Sequence, residues 1–266
     1  MRQFQALPLA GLSALLLGGS PTALAQSATG DAPWARLQWS SSAGFSRYHE
    51  PRIDMSVKGP QLGLHLRLSD LRGLPRLQLE TDVLGGAQGY SSRDGKLSDR
   101  TAFDVRGRVL YQLLPTQADR GLYAGLAYQH SYTDLRGSLK SGAVEGYERE
   151  NRSVWLALQW RDGLNWSALP RLQSYQVDLG HMLDGRQRSY LSQVSSEWRD
   201  VTNKQPWGWY AQVQTSWVAE RGLTLEPFVR YTQVGKSDTV SAGRGTVSEP
   251  ANSRWQLGLK ATWPPH

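Results

Sequence analysis

Arg254-Trp255-Gln256-Leu257-Gly258-Leu259-Lys260-Ala261-Thr262-Trp263 alternates without a slip. In an extended strand Trp255, Leu257, Leu259, Ala261 and Trp263 share one face, while Arg254, Gln256, Gly258, Lys260 and Thr262 share the other. A single segment of this kind could belong to any half-buried sheet. Here the pattern recurs: Leu62, Leu64, Leu66 and Leu68 oppose Gly63, His65 and Arg67, and Leu77, Leu79, Thr81 and Val83 oppose Gln78, Glu80 and Asp82. Phe103, Val105, Val109 and Tyr111 likewise oppose Asp104, Arg106, Arg108 and Gln112. Weaker members follow at Leu122–Tyr132, Val154–Trp160, Tyr175–Leu183, Trp207–Trp217 and Leu223–Tyr231, with Leu37–Phe45 the least regular.

The 266-residue chain opens with features of an export leader. Arg2 supplies positive charge, Leu7–Leu17 a short apolar core, and Ala23-Leu24-Ala25 a small-x-small cleavage site. This predicts a signal peptide over 1–25 and one domain over 26–266. The apolar core is too short to span a bilayer as a helix. A mean hydropathy of -0.50 would ordinarily indicate a water-soluble protein. A strand whose alternate residues face a wet lumen escapes that inference, because the polar half dilutes the apolar half.

Cysteine is absent, which excludes a disulfide framework, a thiolate metal site and a lipid-anchored N-terminal cysteine. The formal charge of +7 becomes +6 once Arg2 leaves with the leader. In an exported β-rich chain this excess points to anionic lipopolysaccharide, a small anionic solute or pairing inside a lumen, and not to nucleic acid.

The connections alternate in length. Short links are expected at Asp70–Arg76, Pro115–Arg120, Arg161–Pro170 and Ala219–Gly222. Long polar loops are expected at Ser46–Pro60, Gln88–Arg100, Asp134–Asn151, Asp184–Pro206 and Gly235–Ser253. Eleven Trp and eleven Tyr against four Phe suit rings at a headgroup boundary. One girdle is expected from Trp39, Tyr111, Trp160, Trp217 and Trp263, and the other from Tyr48, Tyr90, Tyr132, Trp209 and Tyr231. Together these features predict an all-β fold: a closed antiparallel up-and-down transmembrane β-barrel of about ten strands, with eight or twelve as the neighbouring solutions. They place it in the bacterial outer membrane with both termini periplasmic.

The segment Gln256–Trp263 resembles the C-terminal signal of bacterial outer-membrane β-barrel proteins: a polar residue, a glycine two further on, and a terminal aromatic. The resemblance implies recognition by the barrel assembly machinery through Gln256–Trp263. Pro264-Pro265-His266 follow the aromatic, where such chains usually stop.

The polar faces assign a set of lumen-lining residues: Arg36, His65, Arg67, Glu80, Asp82, Asp104, Arg106, Arg108, Asp178, Glu226, Arg230, Arg254 and Lys260. Unpaired charge away from bulk water is costly, so these groups are expected to pair. The result would be an ion-paired plug or a constricted pore favouring small anions. Arg149, Arg152, Arg186 and Arg188 fall near the outer rim, where lipopolysaccharide phosphate is a possible contact.

Enzymatic alternatives demand recognisable spacings. The chain resembles the ten-stranded omptin proteases, whose paired acids and Asp-x-His dyad activate water. Glu80 and Asp82 share a face, and Asp178 precedes His181 by three positions, which alternation places on opposite faces. Barrel lipases need a serine two residues from a histidine, and no His-x-Ser or Ser-x-His occurs. His49, His65, His130, His181 and His266 form no i, i+2 or i, i+4 metal pair, so neither a metal nor another cofactor is expected. The leading expectation is a non-enzymatic barrel, a narrow channel or a structural envelope protein with a charged lumen. A surface-binding barrel acting through its loops and an omptin-like protease are the alternatives.

Overall fold

The computed structural model describes residues 35–117, 120–139, 144–164 and 167–263. The expected leader Met1–Ala25 and the tail Pro264-Pro265-His266 lie outside the described residues. Ten long strands build the fold: β1 (Arg36–Glu50), β2 (Met55–Ser69), β3 (Leu77–Ser92), β4 (Gly95–Gln117), β5 (Arg120–Asp134), β6 (Glu148–Gly163), β7 (Leu172–Ser189), β8 (Gly208–Val218), β9 (Thr224–Val234) and β10 (Asn252–Thr262). Each pairs antiparallel with the next, and β10 returns to β1 with Ser42 opposite Lys260 and Tyr48 opposite Arg254. The sheet closes as an up-and-down barrel with both barrel ends of the chain at one mouth. This mouth is the terminal end; the long hairpins crown the other.

Residue parity decides what each side chain meets. On β10, Trp255 and Leu257 are 50% and 53% exposed while Gln256 and Lys260 are 4% and 8% exposed. Leu62, Leu64 and Leu66 of β2, Leu126 of β5, Leu156 and Leu158 of β6, Val213 of β8 and Val229 of β9 extend the same outward apolar belt. The interior is the polar side, packed with Gln78, Gln112, Gln159, Gln176, Gln212 and Gln214 among its charges. One wall departs from this: Leu110, Tyr123, Ala127, Trp155, Ala157, Met182 and Tyr210 form an apolar wedge inside β4–β8.

Two of the expected long loops are strands. Only residues 51–54 separate β1 from β2, and only Arg93 and Asp94 separate β3 from β4, so most of Ser46–Pro60 and Gln88–Arg100 continues the ladder. Fifteen residues of strand span about 50 Å, well beyond the apolar band that about ten residues cross. Past that band both faces of a strand meet polar surroundings, so alternation stops in the sequence while the hydrogen bonding continues. The girdle expectation is corrected at the same place. Tyr48 and Tyr90 pack against Met55, Val57 and Leu135 inside the hairpin end. Rings expected at the rims do meet elsewhere: Trp39 stacks on Trp263 at 5.1 Å, and Tyr231 lies 5.2 Å from Trp209 and 4.7 Å from Trp255.

Gly180 faces Tyr210 across β7 and β8, and a Cβ at this position would lie 2.0 Å from the Tyr210 ring, the most deeply packed aromatic of the lumen. Gly180→Val is therefore expected to cost about 1–3 kcal/mol through overpacking, lowering the urea midpoint of the folded, heat-modifiable band. Gly107→Ala, where a Cβ meets nothing within 4 Å, should leave that midpoint in place.

Candidate functional site: the charged lumen

Near the terminal end, neighbouring strands bring Arg67, Glu80 and Arg108 side by side on β2, β3 and β4. Arg67 Nε donates to Glu80 Oε1 at 3.0 Å and Gln78 donates to the same oxygen at 2.6 Å, while Arg108 pairs with the other carboxylate oxygen. Arg108 also reaches across the lumen to Asp178 on β7 at 3.1 Å. Asp178 accepts from Gln159 and Gln176 at 2.9 and 2.8 Å, and Arg161 lies 3.7 Å from Glu80. The tier is a brace between opposite walls. Below it, Arg36, Arg67, Arg76, Arg120 and Arg161, with Asp70 and Glu226, line a vestibule of about 210 Å³. Glu226 there accepts from Gln214, Ser216 and Thr262.

The middle of the lumen carries two further groups. His65 lies 2.6 Å from Asp82 through Nδ1 and 2.8 Å from the Ser42 hydroxyl through Nε2. With the proton on Nδ1, His65 donates to Asp82 and accepts from Ser42. The order matches that of a hydrolytic triad. Ser42 is buried and lines neither of the two cavities beside His65. The relay links β1, β2 and β3. Beyond it, Arg106 donates to the Tyr210 hydroxyl at 2.6 Å, and the guanidiniums of Arg106 and Arg230 lie 4.4 and 4.5 Å from the Tyr210 ring centre. Asp104 is held by Arg254 at 2.7 and 2.8 Å and also accepts from Ser131 and Gln129.

At the hairpin end Arg149 is 6% exposed and sits between carboxylates, donating to Glu50 at 2.7 Å and to Glu249. This corrects the expectation that Arg149 faces lipid phosphate, because odd positions of this part of β6 point inward. Burial alone would raise the Glu249 carboxyl, but Arg149 and hydrogen bonds from Ser189 and Gln187 hold it below the usual carboxylate range. Glu249 belongs to the β9–β10 loop, so the contact ties that loop down over the lumen. Arg152, Arg186 and Arg188 are exposed on the outer face, where Arg152 and Arg186 stand directly opposite each other on β6 and β7.

The remaining sequence expectations sort by register. Arg36 is exposed at the vestibule rim, and Lys260 lies beside the Phe228 ring at 5.5 Å. His181 is exposed on the outside of β7 while Asp178 is fully buried within, so the two do not meet as an acid–base dyad. Among the described residues no cluster of three His, Asp or Glu is placed to hold a metal. Sequence reasoning missed Ser42, Tyr210 and the lumen glutamines Gln159, Gln176, Gln212 and Gln214. Their signal is inward parity on strands whose other inward residues are charged, and it becomes decisive only with the register in hand.

A ring of main-chain hydrogen bonds without an open edge, an outward apolar belt and a hydrogen-bonded charged interior define a transmembrane β-barrel of the bacterial outer-membrane type. No protein-family model matches the chain. No curated protein matches it in sequence. Solved structures similar to it include the outer membrane protease OmpT from Escherichia coli, at 9% identity and a TM-score of 0.46 over 86% of this chain and 94% of that one. The translocator domain of the autotransporter NalP from Neisseria meningitidis is similar at 10% identity and a TM-score of 0.41, over 94% of this chain and 95% of that one. Neisserial surface protein A is similar at 10% identity and a TM-score of 0.35, over 86% of this chain and 97% of that one.

Glu80→Ala removes the carboxylate that Arg67 and Arg108 share. It is expected to cost about 3–5 kcal/mol, as stranding buried charge does, read from the urea dependence of the folded band. The Glu249 contact has the opposite pH sense to a basic group. Its folded pKa is depressed, so its contribution is complete above the ordinary carboxylate range and is lost as pH falls through the lowered value. Amide protection factors over residues 235–251, with exchange corrected for its intrinsic pH dependence, should be high at pH 7 and fall as the pH is taken below the usual carboxylate range, while those of the β2–β3 ladder stay in place.

Proposed function

We propose that this protein is a sealed outer-membrane barrel, a structural envelope component that does not conduct at rest and acts through its ends. The observation that carries this reading is the continuity of the lumen packing. The Glu80–Arg108–Asp178 brace, the Arg106–Tyr210–Arg230 group and the Glu50–Arg149–Glu249 contact follow one another along the axis. The cavities between the tiers measure about 20 Å³ each, room for a water-sized particle and not for a hydrated solute. In this reading the short-turn mouth, with both termini, faces the periplasm after removal of Met1–Ala25, and the long hairpins face outward. The β10 segment Gln256–Trp263 is the part the barrel assembly machinery would engage.

The refolded barrel in a planar lipid bilayer is expected to be silent. Discrete anion-biased steps would overturn the sealed reading in favour of a narrow channel.

The outer-face arginines support lipopolysaccharide as the surface partner. Arg152 and Arg186 stand opposite each other on the outer face, each beside an acid of its own strand, Glu150 and Asp184, and with Arg188 they leave exposed guanidinium surface for an anionic headgroup. Replacing Arg152 and Arg186 with Glu should reduce lipopolysaccharide co-purification several-fold without altering the folded band; unchanged co-purification would remove this contact.

A further inference from the structure

Arg106 on β4, Arg230 on β9 and Lys260 on β10 line one cavity of about 20 Å³ in the middle of the lumen. They are 3%, 6% and 8% exposed. Among the described residues none of the three has a carboxylate oxygen within 4 Å, whereas the carboxylates bordering the same cavity are already engaged, Asp82 by His65 and Asp104 by Arg254. Nε and Nη1 of Arg106 and Nε of Arg230 are buried without a hydrogen-bond partner. Both guanidiniums rest against the Tyr210 ring, which offsets part of their charge.

We propose that this cavity is a binding site for one small monovalent anion of halide size, held by Arg106, Arg230 and Lys260. The reason is charge and not only hydrogen bonding. A water molecule could accept from the unpartnered N–H groups, but it would leave a positive excess at Arg106 and Arg230 away from bulk solvent, because Asp82 and Asp104 are taken by His65 and Arg254 and Lys260 faces Glu226 across the β9–β10 ladder, and such an excess is costly. A bound anion accepts from the same donors and removes that excess. The small size of the cavity, about 20 Å³, favours a compact monovalent ion over a larger oxyanion. Leu84 and Phe228 supply part of the lining, which favours a weakly hydrated ion such as chloride or bromide over a strongly hydrated one. The site is a resident one, independent of whether the lumen conducts, so a silent bilayer leaves it standing.

The test uses the full barrel folded in detergent, with ³⁵Cl line broadening and the urea unfolding midpoint measured in sodium chloride against sodium gluconate at fixed ionic strength. Chloride should broaden saturably, be displaced by bromide, and raise the midpoint. At a hundred-fold excess over its dissociation constant it should multiply the folded-to-unfolded ratio about 100-fold. Arg106→Gln combined with Arg230→Gln should abolish both responses while the folded band persists. If that pair does not fold, Lys260→Gln alone should weaken chloride binding at least several-fold. A wild-type barrel indifferent to halide would overturn the site, as would a chloride response that survives these substitutions unchanged.

Discussion

Every main-chain N–H and C=O that enters a bilayer must find its partner within the protein, and the rest of this structure depends on that requirement. A chain this polar cannot meet it with apolar helices; among the described residues no helix is long and apolar enough to cross a membrane. It meets it with strands, and strands leave two unpaired edges until the first and last are joined. The pairing of β1 with β10 removes them. Once the ring is closed, parity is no longer negotiable: odd and even positions of each strand are assigned to lipid or lumen together.

The lumen exploits that assignment. Buried ion pairs roughly balance their own desolvation, so the tiers are better understood as fixing register than as a source of net stability. A one-residue slip of β3 against β4 would turn Glu80 and Asp82 toward lipid, leave Arg67 and His65 without counterparts and strip Arg108 of one of its two carboxylates. Arg108 carries this constraint furthest because it joins β3 to β7 through Glu80 and Asp178, so two walls that share no backbone hydrogen bonds are held in one alignment. The apolar wedge around Tyr210 packs the lumen inside β4–β8, and the two cavities beside His65 measure about 20 Å³ each.

Strand identity was legible in the sequence wherever one face meets lipid. Alternation at Leu62–Leu68 and Arg254–Trp263 is enforced residue by residue, and the structure places those segments as read. Legibility ended where the membrane ends. In Ser46–Glu50 and Gln88–Ser92 the outward face no longer needs apolar side chains, so continuing strand looks like polar loop. The inward charges could be named from parity alone, but their partners could not, because partners are set by cross-strand register. The Ser42–His65–Asp82 relay shows this most clearly: its three residues are far apart in sequence and adjacent only because three strands stack with that offset. Arg149 was misread because the alternation that would have shown its inward direction fades in the hairpin extension.

The seam between β1 and β10 sets the order in which the molecule can be made. Ser40 and Thr262 share a hydrogen bond at 2.7 Å although 222 positions separate them. Consecutive hairpins can form as soon as their own two strands are present, but this junction waits for the last strand to arrive. Joining such distant segments carries the largest loop-closure entropy in the chain and belongs at the end of assembly. Until then β1 offers a free edge to any strand nearby, its own or another molecule's. A barrel closed this way therefore passes through an interval of exposed edge that lasts until its final strand is in place.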